Sequence, residues 1–156
     1  MAVEDAYHLL IDGEHTEENW KKAWPLLRKS TAIELLSPEL ESVNEESITL
    51  KVEITNHARQ PLGLLHGGVS MLLAESAASM HSCWGLDLPQ EYPVGIEING
   101  SHIRSATEGY ILVEAKLIRR SRTLVHHEVS IIEEKTNRLL STIRVTNLLR
   151  HRRRGS

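Results

Sequence analysis

The chain has 156 residues, 40% of them hydrophobic, with 18 Lys and Arg set against 21 Asp and Glu for a formal net charge of -3. That length suits one domain with a full core, and the charge excludes a dedicated nucleic-acid binder. The single cysteine, Cys83, excludes an intramolecular disulfide framework, and His66, Glu75 and the Gly67 and Gly68 pair interrupt the longest apolar stretch well short of a ~20-residue membrane span.

The acidic N-terminus (Glu4, Asp5, Asp12, Glu14) lacks the basic-then-apolar pattern of a signal peptide, so a cytoplasmic location is expected. Thr16 reads as a helix cap, with Glu17 and Glu18 in the first turn and Trp20, Ala23 and Trp24 on one side before Pro25. The apolar run 32–36, closed by Ser37 and Pro38, reads as a strand. So does 47–55, where Ile48, Leu50, Val52 and Ile54 alternate with polar neighbours. A polar connection over 56–63 leads into the stretch 62–85, LGLLHGGVSMLLAESAASMHSCWG, which reads as one buried helix of about five turns. Four strands follow at 94–103, 110–119, 124–133 and 138–149, with turns at Glu108 and Gly109 and at Thr136 and Asn137 read as hairpin connections. Strands, one apolar helix and a four-strand meander predict an antiparallel sheet packed on one face against that helix.

Glu75 is the lone carboxylate of the helical stretch, and a buried carboxylate needs partners or a task. At the helix start, Gly67 and Gly68 expose backbone N–H groups where unsatisfied donors and the macrodipole favour a polarised oxygen. The same glycines equally serve a tight turn, and Glu75 equally serves as a structural carboxylate at an oligomer interface. Eight residues separate Gly67 from Glu75, roughly 12 Å along the axis, so the two cannot grip one carbonyl from a single chain. If both act on one group, a second copy must supply one of them across a twofold axis. Ser79 lies one turn beyond Glu75 on the same face, with Met71 and Leu72 flanking as apolar lining. His66 offers a ring to position the loop or move a proton, and Gln60 an amide donor. His126 and His127 are adjacent in a strand and point to opposite faces, and no Zn-like grouping occurs.

The run 60–68, QPLGLLHGG, continued by Leu73, Ala74, Glu75 and Ser76, resembles the signature of hotdog-fold acyl-CoA thioesterases of the hydroxybenzoyl-CoA, phenylacetyl-CoA and dihydroxynaphthoyl-CoA type. The likeness extends over 95–105 (GIEINGSHIRS) and 121–125 (SRTLV) and leaves out only the residues before about position 30. It implies an α+β hotdog fold, with an antiparallel sheet of five to six strands wrapped around one long central helix. The expected organisation is a helical extension over 1–30, a single hotdog domain over 31–150 and a disordered basic tail over 151–156. By this resemblance Glu75 is the nucleophile or general base of thioester hydrolysis and the Gly67 N–H polarises the carbonyl. His66 and Gln60 arrange that end, and Ser79 takes the hydroxyl position. Gly68, His102 and Arg104 would meet substrate, and Ser121, Arg122 and Thr123 the CoA phosphates, whereas Arg119 and Arg120 are read as solvated strand-end charges. The partners implied are an acyl-CoA, aromatic acyl groups favoured, and a homodimer with composite sites assembled into a homotetramer. No metal, no cofactor beyond the CoA of the substrate, no nucleic acid and no membrane is implied. Two other readings are a hotdog hydroxyacyl-thioester dehydratase, whose His-Phe-Pro run this chain lacks, and a non-catalytic acyl-CoA-binding module.

Overall fold

Thr16 caps the helix that follows it as its sequence predicts, its Oγ1 accepting from the Asn19 N–H at 3.2 Å and satisfying a first-turn donor that the helix cannot. The structure, a computed structural model, describes residues 8, 10, 14–88 and 90–152. Glu4, Asp5 and Asp12 and the tail over 153–156 lie outside the described residues. Helix α1 spans Glu17–Arg28 and buries Trp20, Ala23, Trp24 and Leu27 at helical spacing. Pro25 does not end it; the ring sits inside the helix at the cost of one backbone bond. The Trp24 indole N–H donates to Pro38 O at 2.7 Å and Trp20 stacks on Trp84 at 5.8 Å, which fastens α1 to the core.

The run 32–36 is not a strand. Glu34–Leu36 forms a 3-10 turn, because the residues that reach the core, Ile33 and Leu36, are three apart rather than alternate, and Ser37 reverses the chain at φ 45°. The first strand comes after it, β1 at Glu39–Val43, followed by β2 at Ser47–Glu53. The long helix is also shorter than its apolar stretch. Helix α2 spans Gly67–Ser82, while residues 62–66 form a loop turned by Gly63 at φ 83°.

Strands β3 (Glu91–His102), β4 (Tyr110–Arg120), β5 (Leu124–Glu133) and β6 (Arg138–His151) complete a six-stranded sheet of order β1-β2-β4-β5-β6-β3, antiparallel throughout. The expected four-strand meander is therefore three strands long. β3 leaves its sequence neighbour and pairs with β6 at the far edge, so Glu108 and Gly109 form no hairpin. Moving from β3 to β4 means crossing about 14 Å at the usual strand spacing, and the seven-residue link over 103–109 is long enough to do so. β6 runs through His151, whose ring lies 3.4 Å from the Glu91 carboxylate, and the Arg152 N–H reaches Gln90 O.

Helix α2 packs across this sheet, against β2 to β6. Ser70, Leu73, Ala74, Ala77, Ala78 and His81 are buried at the i, i+3, i+4, i+7 spacing of one face, and the alanines let the helix approach the strands closely. Its other side, with Met71, Leu72, Glu75, Ser76, Ser79 and Met80, is half-buried. Among the described residues no helix is long and apolar enough to cross a membrane.

One buried polar pair breaks the apolar interior. His81 Nε2 lies 2.8 Å from Asn44 O, and a carbonyl only accepts, so that nitrogen carries the proton. His81 Nδ1 must then accept from His127 Nε2–H at 2.7 Å, which leaves the buried His127 Nδ1 a bare lone pair. Burial, then the charges of His81, Arg120 and His126, pushes His127 down to about 3; burial first and Arg120 next also lower His81. The unfolded chain therefore binds protons that the folded chain refuses. Stability is complete above about pH 6.5 and falls as pH drops from there towards 3, by up to about 1.4 kcal/mol per pH unit for His127, with a contribution of the same sign from His81. Urea unfolding at pH 7, 6 and 5 should show this slope, and His127→Leu should reduce it.

Candidate active site

Four amides at the start of α2 have no helical carbonyl to bond. The His66 ring deals with one of them, its Nδ1 accepting from the Gly68 N–H at 2.8 Å. The Val69 N–H donates to His66 O at 3.0 Å, and the His66 N–H turns back to Ala58 O at 2.8 Å. The remaining amide, Gly67 N–H, has no acceptor among the described residues. His66 is thus the helix cap, the Gly68 amide is engaged within the chain, and Gly67 presents a free donor at the positive end of the helix dipole.

Several of the residues singled out in the sequence meet around that donor. Gln60, Gly67, His102 and Arg104 line one cavity of about 370 Å³, together with Ser70 and Ser141. The Leu62 N–H donates to Gln60 Oε1, which fixes the amide orientation and leaves the Gln60 NH2 group without an acceptor among the described residues. The His102 ring, held by Ser141 Oγ at 2.9 Å, brings its Nε2 edge against Gly67: a Cβ there would stand 2.5 Å from His102 Nε2. Glycine is required for that approach. Arg104 is anchored through its guanidinium to Leu139 O at 3.0 Å.

Glu75 is not in this cavity. It lies farther along α2, half-buried, with neither a hydrogen bond nor an ion pair to any described residue. Its Oε1 rests on the backbone of Gly95, where any Cβ would collide with it. A register shift between Gly95 and Glu97 bulges β3 beside the carboxylate, a common device for re-aiming groups next to a site. Ser79, one turn on, donates its hydroxyl to Asn147 Oδ1 at 2.9 Å. Ser79 also lines a second, largely apolar cavity of about 200 Å³ with Ser76 and Met80 of α2 and Trp24, Leu27 and Ile33 of the N-terminal region. Ala78, turned to the sheet, is fully buried.

Ser121, Arg122 and Thr123 form the β4–β5 turn at the opposite end of the sheet from Gly67, with Ser121 Oγ accepting from the Leu124 N–H at 2.9 Å. Arg119 is exposed, as expected for a strand-end charge. Arg120 is not: it is half-buried and donates to Ser82 O at 3.2 Å at the C-terminus of α2, where a cation is favoured by the dipole. Cys83 beside it is fully buried, which pushes its thiol up to about 12 and removes it from any nucleophilic role near neutral pH.

Sequence reasoning missed Gly95, Asn147, Trp24, Leu27 and Ile33 as parts of the site. For Gly95 the available signal was a glycine inside a strand pattern, which marks close approach of another group.

A single long helix laid across a six-stranded antiparallel sheet is the architecture of the hotdog thioesterases. The profile of the Thioesterase superfamily matches residues 62–139, and the chain belongs to that family. It is 34% identical to the 1,4-dihydroxy-2-naphthoyl-CoA hydrolase of Listeria monocytogenes over 121 residues, which cover 78% of this chain and 97% of that one. It is 38% identical to PA1618 of Pseudomonas aeruginosa over 96 residues, 62% of this chain and 66% of that one. A match in Deinococcus radiodurans, 43% identical over 77 residues, spans only 48% of its relative's length. Among solved structures, a variant of thioesterase PA1618 superposes with a TM-score of 0.80 at 29% identity, covering 85% of this chain and 94% of that one. Thioesterase HI1161 of Haemophilus influenzae gives 0.78 at 28% identity, with 91% and 95% covered.

Proposed function

We propose that the protein is an acyl-CoA thioester hydrolase that releases a free acid and CoA. The observation that carries this reading is the pairing of the free Gly67 N–H with the partnerless Glu75 on one helix. A thioester carbonyl is already electrophilic, so one preorganised donor for the developing oxyanion and one carboxylate are sufficient machinery. Glu75 attacks the carbonyl carbon or takes a proton from the attacking water. The oxyanion forms against Gly67 N–H, with Gln60 and His102 at the same end, and collapse expels the CoA thiolate.

The 12 Å or so between Gly67 and Glu75 along the axis assigns them to different copies of the chain. Strand β3 supports this arrangement. It is an edge strand of 12 residues, paired only with β6, and exposes Val94 and Ile96, a surface built for pairing with another strand. A twofold axis there sets two α2 helices antiparallel, so that Gly67 of one faces Glu75 of the other; the homotetramer is two such dimers. Ser121, Arg122 and Thr123 are proposed to meet the CoA phosphates.

Aromatic acyl groups are favoured by the apolar cavity beside Ser79. Its 200 Å³ compares with the roughly 150 Å³ that holds a benzene ring in an engineered cavity. The test is release of CoA thiol from benzoyl-, phenylacetyl-, dihydroxynaphthoyl-, hexanoyl- and acetyl-CoA. Fastest cleavage of an aryl ester is expected; absence of cleavage across the panel would leave a binding module. Gly95→Ala should lower kcat about a hundredfold by displacing Glu75, since a shift of about 1 Å costs that much, while the melting temperature moves little.

A further inference from the structure

Asn147 stands in the buried middle of β6 with no solvent exposure. In the ladder it lies between Gly95 of β3 and Val125 of β5. Residues opposite one another in a ladder share a face, so Asn147 sits beside the glycine on which Glu75 rests. Its Oδ1 accepts from the Ser79 hydroxyl at 2.9 Å, while its Nδ2 is buried with no acceptor among the described residues. A buried donor without a partner destabilises the fold, and an apolar residue of similar size would fill the position without that cost. Stability therefore does not account for the asparagine. What it supplies is an acceptor aimed at Ser79.

A serine hydroxyl has one proton. With that proton held by Asn147, Ser79 cannot donate to the Glu75 carboxylate one turn away and turns only lone pairs towards it. We propose that Asn147 is a positioning residue which, by holding the Ser79 proton, makes Ser79 the acceptor that orients the hydrolytic water beside Glu75. The proposal rests on the hydrolase reading and on Glu75 acting as general base. A water there donates one O–H to Ser79 Oγ and gives its other proton to Glu75 as its oxygen bonds to the carbonyl carbon. The C=O electron pair moves onto oxygen, its return breaks the C–S bond, and the departing thiolate recovers the proton from Glu75.

A double-mutant cycle tests this, read by CoA release from benzoyl-CoA or the best-cleaved ester of the panel, with thermal unfolding of each variant. Asn147→Leu and Ser79→Ala should each lower kcat about tenfold with KM within about twofold. The double variant should be no slower than Ser79→Ala alone, and Asn147→Leu should melt no lower than the wild type. An equal loss on adding Asn147→Leu to the Ser79→Ala background, or an unchanged kcat in Asn147→Leu, overturns the proposal. Should Asn147→Leu fail to fold, Asn147→Ser, polar but too short to reach Ser79, replaces it in the same cycle. Glu75→Ala run alongside separates the two levels: if it cleaves as fast as the wild type, the role given to Glu75 falls and takes this proposal with it.

Discussion

Replacing Glu75 with alanine is expected to lower kcat for thioester cleavage by a factor of about 10² to 10⁴, the range that general-base catalysis contributes. The side chain is half-buried and has no protein partner among the described residues, so its removal breaks no hydrogen bond or ion pair within the chain. The loss should therefore be chemical rather than structural: thermal unfolding should stay close to that of the wild type, and CoA esters should still bind. Glu75→Gln, which keeps the shape against Gly95 and removes the charge, should lose nearly as much. Full activity in either variant would move the chemistry away from this helix.

The second large effect is expected from mixing two inactive proteins. Gln60 stands with Gly67 at the N-terminal cavity, whereas Glu75 lies outside it. If one site takes Gln60 and Gly67 from one protomer and Glu75 from its partner, Gln60→Ala and Glu75→Ala damage complementary halves. A heterodimer of the two then holds one doubly damaged site and one intact site. Unfolding and refolding an equal mixture gives about half heterodimers, so activity should rise from near zero to about a quarter of wild type. Activity that stays at the level of the separate variants would place both residues in a site made by a single chain. Size-exclusion chromatography of each variant confirms that the comparison is between assemblies of equal size.

Much of the site was legible because its signals are local. A carboxylate in a run of small apolar residues marks itself out at Glu75, and a histidine before two glycines marks a helix start. Both positions then followed from the 1.5 Å rise of a helix. The strands β2, β4, β5 and β6 were legible for the same reason, since alternation is written in neighbouring residues. The run 32–36 misled because a short apolar segment does not reveal its period; burial of Ile33 and Leu36 on one side of a turn decided it.

By itself, then, the sequence determined a central apolar helix, its carboxylate, its glycine start and the alternation of most strands, because each depends on residues a few positions apart. Only the tertiary structure decided that β3 crosses to pair with β6, and everything that follows from that register. It put Gly95 under Glu75, Asn147 under Ser79, and His81 against His127, pairs separated by 20 to 68 positions along the chain. It also brought Trp24 and Leu27 of α1 to the cavity beside Ser79. Strand order and helix docking are chosen by the burial of whole faces against one another, and no local pattern states which distant face will be the partner.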